Sequence, residues 1–577
     1  MDIYRTFRQQ AVSCISDYLK KMNITDKTFR VDEQSLESPP DKSFGDLSFP
    51  CFPLARVLKK SPDTISRELS EHINNNCRHD LFERIENTGP YLNFFIDKKR
   101  ISEFILKVIY NNKVVFPKKK ERVMVEYSQP NTHKELHIGH LRNISLGNSL
   151  VNIMRKAGYA VISANYIGDI GSHVAKTIWC YTKFHKNDKI KEIKKDACSY
   201  FGRVYSEAVR LTEENEEYRR EASIVQQKLE SGDKRLIGIW RKTRKMCLDE
   251  FNSIYKELNV KFDIFFYESE VEQEGIKLVK ELLKKGIAKE SDGAIIMDLK
   301  KYNLDVFLLL KSDGTSLYAT KDIPLAKRKF EKYRIDKSIY VVDSRQSLYF
   351  RQLFKTLELM GFRKEMIHLP YEFVMLKEGA MSSRKGNIIS YKSLLSEMMM
   401  KTISETKSRH PEWPKKKIED TARAISIGGI LFDMLKQDNN KVIVFDIKEA
   451  TDIEGESAAY CQYTYVRTNS ILKKAAKEKI FYNDKIDYDL DEAETEIAKQ
   501  LAMFSEVVEK SSRDYKPQLL ARYLIELCKL FNRFYHEKQV LKANEPERKK
   551  RLLLVYSVNF ILKECMKMLG IPLLSEM

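Results

Sequence analysis

VMVEYSQPNTHKELHIGHL, running from Val123 to Leu141, is an apolar strand that ends in a polar turn and delivers His137-Ile138-Gly139-His140 onto a helix start. Two imidazoles three residues apart suit one task. The glycine between them lets a nucleotide lie close to the backbone, and the imidazoles can donate hydrogen bonds to phosphate oxygens as charge builds. The bland alternatives are a chance tetrapeptide or a surface histidine pair that binds a stray metal, so the flanks decide.

Outward from this stretch lie 577 residues, too many for one core and enough for three or four domains. Hydrophobic residues make up 43% and charged residues 32%, ordinary values for a large soluble enzyme. No apolar run approaches the ~20 residues of a membrane span. The N-terminal segment, with Asp2 and Asp17, reads as an amphipathic helix and not as a signal or transit peptide. Nine cysteines are scattered without a C-x-x-C pair, so neither a disulfide framework nor a structural metal is expected, and a reduced cytoplasm is the expected setting. Lys plus Arg number 101 against 82 Asp plus Glu, and the net charge of +19 favours a polyanionic partner such as nucleic acid.

Residues 1–112 read as a self-contained α/β unit with a Gly45-Asp46 turn, a helix after Pro62-Asp63 and a strand at Gly89-Pro-Tyr-Leu-Asn-Phe-Phe. Lys113 to Arg122, with Pro117 and three consecutive lysines, is a linker. Over 120–395 the runs VMVEY, AVISANYIGD, GAIIMDL, VFLLL, SIYVV and EFVML alternate with amphipathic helices, which implies a parallel, doubly covered sheet. A helical insertion is expected over about 177–300, its Lys/Glu-rich pattern clearest from Thr177 to Phe266. Residues 396–577 are expected to be helical, because strand signals nearly vanish after Ile418 and Tyr523, Leu524, Leu527, Leu530, Phe531 and Phe534 repeat at helical spacing. The expected fold class is thus α/β: a Rossmann-like parallel-sheet catalytic domain with a helical insertion, an N-terminal α/β appendage and a C-terminal all-α bundle.

A nucleotide site on this sheet needs its own device, since the chain has neither a P-loop nor a G-x-G-x-x-G turn. Ala380-Met-Ser-Ser-Arg-Lys-Gly-Asn387 supplies one: serines, cations and a glycine able to close over a triphosphate. In this order the two elements resemble the HIGH and KMSKS signatures of class I aminoacyl-tRNA synthetases. The second signature is imperfect, with Ala380 and Ser383 at its lysine positions and Arg384-Lys385 following. That departure resembles the arginyl-tRNA synthetases of the eukaryotic-like cytoplasmic type, in which a lysine upstream of HIGH compensates; Lys134 stands in the matching place. The resemblance implies catalytic roles for His137, His140, Lys134, Ser382, Ser383, Arg384 and Lys385, and ATP contacts from His137, Gly139, His140, Lys134, Met381 and Ser382.

An arginine pocket must orient a planar guanidinium, which carboxylates do best with amide and phenol oxygens completing the fork. Glu126, Asn131, Tyr318, Asp322 and Gln346 match the arginine-recognising positions of that family. Tyr318 and Asp322 share a face if their segment is helical, although Pro324 would equally suit Asp322 as a helix N-cap. Asn165-Tyr-Ile-Gly-Asp-Ile-Gly171 resembles the family segment N-x-x-G-D-W-G, with Ile170 for Trp, and His173 receives no role. The N-terminal unit resembles the appendage that contacts the tRNA D-loop, Tyr91 and Asn93 matching contact positions. Tyr460, Tyr463, Arg467 and the terminal Met577 resemble the anticodon-binding end of the family, although core packing explains any one tyrosine equally well. The resemblance implies a monomeric cytoplasmic arginine–tRNA ligase whose partners are arginine tRNA, L-arginine and ATP with Mg2+, with no membrane contact and no metal held by the protein.

Overall fold

The computed structural model describes residues 3–24, 29–39, 41–77, 79–377 and 389–577. At its centre lies a parallel sheet of five strands in the spatial order Glu365–Tyr371, Lys337–Asp343, Arg122–Glu126, Ala160–Ile167, Ile264–Tyr267. Val123, Met124 and Val125 are fully buried, as a strand covered on both faces requires. Chain order reverses between Arg122–Glu126 and Lys337–Asp343. The crevice at their carboxyl ends is the switch point where such sheets bind ligands. Helix Ile138–Lys156 starts there and runs back along the sheet.

Two of these strands escape the sequence pattern. Ile264–Tyr267 is only four residues long, and Glu365–Tyr371 contains His368 and Pro370, which an edge strand tolerates because one side needs no amide donor. Conversely, GAIIMDL and VFLLL do not join the parallel sheet. They form Ala294–Asp298 and Val306–Leu310 of a separate antiparallel sheet with Lys289–Ser291. Asp292 and Gly293 (φ 50° and 76°) make a two-residue hairpin, too short for a parallel crossover. The helical insertion expected over about 177–300 therefore ends at Glu257. The EFVML run yields Val374–Leu376, paired with Ile443–Phe445 in a two-stranded sheet of its own, a strand beyond Ile418 that the composition concealed.

The N-terminal unit is an antiparallel sheet of Leu47–Pro50, Tyr91–Ile96 and Phe82–Thr88 packed on helices Ile3–Lys21, Pro62–Asn76 and Lys98–Tyr110. Residues 113–121 lack helix and strand, as a linker should. The unit nonetheless docks firmly on the C-terminal bundle, through Lys499–Asp46 at 2.7 Å and Arg8–Glu506 at 3.2 Å. The bundle comprises helices from Ala458–Lys477 to Glu545–Leu569. In Pro517–Glu537 the fully buried Leu520, Leu524, Leu527, Phe531 and Phe534 recur at three- and four-residue steps, the expected helical stripe. Among the described residues no helix is long and apolar enough to cross a membrane.

Helix Tyr318–Tyr333 carries Pro324 in its interior, so the Thr320 carbonyl lacks its helical amide partner. Gly275, on helix Glu272–Lys284, packs against that carbonyl so closely that a Cβ there would lie 2.0 Å from the oxygen. Gly275→Ala should therefore destabilise the protein by about 1–3 kcal/mol through forced repacking. Gly202→Ala, in open space within helix Ala197–Glu214, should stabilise it by about 0.5–1 kcal/mol. Urea unfolding midpoints of the two variants check the contrast.

Candidate active site

The turn between Glu126 and the histidines is strained. Ser128, Gln129 and His133 hold φ of 78°, 45° and 63°, each costing about 1–3 kcal/mol unless neighbours impose it. Two buried amides impose it. Asn143 Oδ1 accepts from Ser128 N at 2.5 Å, while its Nδ2 donates to the Val341 carbonyl at 2.8 Å and the Tyr371 hydroxyl at 3.1 Å. One side chain thus joins the turn to two strands at the switch point. Asn165 Oδ1 accepts from Gln129 N at 3.1 Å. Asn131 lies against Gly168 of the NYIGD segment, where a Cβ would meet its Oδ1 at 2.0 Å, so no larger residue lets the loop approach.

His137 caps helix Ile138–Lys156. Its Nδ1 accepts from Gly139 N at 3.1 Å, and His140 Nδ1 accepts from His137 N at 3.2 Å. Both Nδ1 atoms act as acceptors, so each neutral ring carries its proton on Nε2, a donor suited to phosphate oxygen. Burial, then Lys134, pushes His137 down to about 4, and burial with His137 and Lys134 holds His140 well below its ordinary value. Both rings are therefore neutral donors at neutral pH, 3.9 Å apart, at a helix N-terminus that favours anions. Lys134 is half-buried, with Nζ 5.0 Å from the Tyr205 ring centroid, and burial lowers its pKa. His173 lies close enough to Lys134 and Lys321 that their charges, after burial, push it down to about 4.

The histidine turn is bound to the segment that follows the second signature. Ile138 N donates to the Ile389 carbonyl at 3.1 Å and Tyr391 N to the Leu136 carbonyl at 2.8 Å. Lys392 then bridges Asp196 (2.6 Å) and Glu250 (2.7 Å) of the helical insertion. The signature itself, with Met381, Ser382, Ser383, Arg384 and Lys385, lies outside the described residues.

The five residues of the expected arginine pocket converge. Glu126, Asn131, Tyr318, Asp322 and Gln346 line one cleft of about 750 Å3 together with His137, Gly139 and His140; Lys134 does not line it. Asp322 sits in the second turn of helix Tyr318–Tyr333, so it is not an N-cap and shares a face with Tyr318. Three acids meet there. Glu126 pairs with Lys329 at 2.5 Å and Glu268 with Lys321 at 2.5 Å, all four side chains buried. Asp322 Oδ2 accepts from the Tyr349 hydroxyl at 2.5 Å, and its buried Oδ1 has no hydrogen-bond partner among the described residues. Burial raises Asp322 to about 6 against the Tyr349 bond, and raises Glu268 to about 7 against the attraction of Lys321. Among the described residues the buried Tyr166 hydroxyl also has no hydrogen-bond partner, and it faces the same acids, which, after burial, raise its pKa.

Sequence reasoning missed Glu268, Lys321, Lys329, Tyr349 and Tyr166. One signal was available: Lys321, Leu325 and Lys329 fall at four-residue steps on a buried helix face, where lysine is costly unless paired.

The residues assigned to RNA contact fare unequally. Tyr91 is exposed and meets the exposed Phe52 edge to face at 5.8 Å. Asn93 is corrected: it is buried, accepting from Ser48 Oγ at 2.7 Å and donating to Thr88 Oγ1 at 3.2 Å, because its central strand ties it to both flanking strands on the face opposite Leu92, Phe94 and Ile96. Tyr463 and Met577 line one cavity of about 280 Å3. The Arg467 guanidinium lies 4.7 Å from both the Tyr463 and Tyr535 rings and donates to Asn532 at 2.8 Å. Tyr460 is half-buried against the main core.

A switch-point cleft on a parallel sheet, capped by a neutral histidine pair at a helix start, defines a class I aminoacyl-tRNA synthetase. The family model described as "tRNA synthetases class I (R), catalytic domain" matches residues 105–447, the DALR anticodon binding domain residues 461–577, and the arginyl tRNA synthetase N terminal domain residues 9–96. The arginine–tRNA ligase of Halothermothrix orenii is 35% identical over 98% of both chains, and that of Bdellovibrio bacteriovorus 37% identical over 93% of both. The arginyl-tRNA synthetase of Thermus thermophilus superposes with a TM-score of 0.82 at 28% identity, covering 99% of this chain and 100% of that one. The chain belongs to the arginyl-tRNA synthetase family.

The raised carboxyl groups give the cleft a pH dependence. Asp322 and Glu268 lose their protons as pH rises through about 6 and 7, so a guanidinium ligand binds more tightly at higher pH and expels protons on binding. Between about pH 6 and pH 8, KM for free arginine should fall about tenfold. Glu268→Gln should remove the upper part of that profile; an unchanged profile would mean Glu268 does not face the ligand.

Proposed function

We infer that this enzyme ligates L-arginine to its cognate tRNA for protein synthesis. ATP is consumed to form arginyl adenylate, and the arginyl group then passes to the 3′-terminal ribose of the tRNA. One observation carries the reading: a cluster of buried carboxylates opens into the same cleft as a neutral imidazole pair at a helix N-terminus. A guanidinium site thus adjoins a phosphate site.

The chemistry needs no protein nucleophile. A carboxylate oxygen of arginine attacks the α-phosphorus of ATP in line, and the bond to pyrophosphate breaks with its electron pair leaving on oxygen. Nε2–H of His137 and His140 donates to the oxygens that gain charge, and Lys134 with the Ser382 to Lys385 segment neutralises the triphosphate. Glu126, Asn131, Tyr318, Asp322 and Gln346 hold the arginine. Mg2+ enters with ATP as the nucleotide's counter-ion. In the second step a ribose hydroxyl attacks the adenylate carbonyl and AMP departs. Orientation in a preorganised cleft supplies most of the rate.

Residues 1–112 serve the tRNA D-loop through Tyr91, residues 120–395 carry catalysis, and residues 396–577 connect to and form the anticodon site around Tyr463, Arg467 and Met577. The exposed Tyr91–Phe52 pair and the net charge of +19 support this division. The enzyme acts as a monomer in the cytoplasm, a setting supported by its scattered free cysteines.

Offered each standard amino acid with ATP and total tRNA, the protein should charge arginine alone. Pyrophosphate exchange should stay near background until cognate tRNA is added. Lys134→Ala should lower turnover about tenfold or more with KM for arginine unchanged; wild-type turnover in that variant removes Lys134 from the site.

A further inference from the structure

Outside the cleft, the helical insertion holds a cluster with the chemistry of a metal site. Cys180 ends helix Ser172–Cys180, and Tyr181–His185 continues it as a π turn. In an unbroken α-helix, residues five apart lie about 140° apart around the axis. The wider π turn, with i→i+5 bonding, brings Cys180 and His185 onto one side. Both face Glu207 on helix Ala197–Glu214, and one ligand atom from each of the three lies within 4.8 Å of the others.

The surroundings of His185 make this more than proximity. Its Nε2 lies 2.7 Å from Glu207 Oε2, and its Nδ1 lies 3.4 Å from Asp188 Oδ2, which also accepts from the Tyr200 hydroxyl at 2.5 Å. A neutral imidazole carries one proton and can satisfy one of these carboxylates. The other nitrogen then presents a lone pair to an anion, a repulsion that either a second proton or a coordinated cation relieves. A second proton would serve; a metal would also draw on the thiol of Cys180, the third ligand atom of the cluster. A carboxylate and a tyrosine behind Nδ1, a second carboxylate at Nε2 and a thiol in the same cluster supply the donor types of a zinc site and of the support behind its histidine.

We propose that Cys180, His185 and Glu207 bind one zinc ion, with water as fourth ligand and Asp188 orienting the imidazole. On binding, Cys180 releases its thiol proton and His185 coordinates through Nε2 as neutral imidazole, its Nδ1–H donated to Asp188. The site is placed where the fold needs a staple. Cys198 and Phe201, near the start of helix Ala197–Glu214, join the main core, but the part of the insertion around the candidate ligands packs on a separate small cluster of Trp179, Cys180, Val204, Ala208 and Ala222. A metal joining the 172–185 segment to helix Ala197–Glu214 adds what so few apolar residues supply poorly. The three ligands are spread from 180 to 207 in no known finger spacing, so the sequence hides them.

The test uses the full-length protein, stripped with a chelator and titrated with Co2+ as a spectroscopic substitute. One equivalent should bind with tetrahedral d–d bands and a thiolate-to-cobalt charge-transfer band, and Zn2+ should displace it. Cys180→Ala should abolish the charge-transfer band, whereas Cys565→Ala, remote and buried in the bundle, should keep it. Asp188→Asn should retain the band and weaken Co2+ binding about tenfold. Chelation of the wild-type protein should speed hydrogen exchange across residues 172–214 and spare the bundle. Absence of stoichiometric metal binding in the wild-type protein, or a thiolate band that survives Cys180→Ala, overturns the proposal. Neither readout depends on aminoacylation.

Discussion

Charge buried without a partner is the constraint around which the cleft is arranged. Glu126, Glu268 and Asp322 are brought together out of water, where mutual repulsion and lost solvation would expel them or protonate them. Lys329 and Lys321 neutralise two of the three from within the protein. Taking away one member of such a pair typically costs about 3–5 kcal/mol, since the other is left as an uncompensated ion. Asp322 is left with one oxygen on Tyr349 and, among the described residues, no partner for the other. The cleft is thus prepared for one more positive group, and a planar guanidinium can use Asp322, the Tyr166 hydroxyl and the rim phenol of Tyr318 at once.

That arrangement depends on one helix standing in one place. Lys321, Asp322 and Lys329 all project from Tyr318–Tyr333, whose proline-freed carbonyl is covered by Gly275. On the opposite wall, Asn143 and Asn165 hold the left-handed residues of the Glu126 turn, and the histidine pair starts the helix from which Asn143 projects. The acidic cluster and the histidine pair therefore share a framework: the strand ends at the switch point. The Lys392 bridges extend that framework into the insertion, so a shift of the insertion reaches the histidine turn through Tyr391 and Leu136.

Much of this was legible in the residues. The His137–His140 turn and the strand before it followed from motif and pattern, and the grouping of Glu126, Asn131, Tyr318, Asp322 and Gln346, which line one cleft, was implied by the family resemblance. What escaped has physical causes. Local pattern does not distinguish a parallel strand from an antiparallel one, so Ala294–Asp298 and Val306–Leu310 were drawn into the wrong sheet although Asp292-Gly293 marked a hairpin. Edge strands such as Glu365–Tyr371 carry residues that interior strands exclude. Buried lysines read as solvated ones until their partners, Glu126 and Glu268, are seen across the fold. Asn93 was assigned to RNA contact by resemblance alone, and its position in the central strand, bonded to Ser48 and Thr88 on the strands either side, covers it.

The central claim is that the open charge of Asp322, more than that of either lysine-paired acid, selects the substrate cation. Calorimetric binding of arginine and of citrulline, its uncharged isostere, to the wild-type enzyme and to Asp322→Asn tests this most directly. The wild-type enzyme should prefer arginine by about a hundredfold or more, and Asp322→Asn should lose most of that preference by weakening arginine while leaving citrulline nearly unchanged. An Asp322→Asn enzyme that folds normally and still discriminates like the wild type would contradict the claim and move the selection to Glu126 or Glu268.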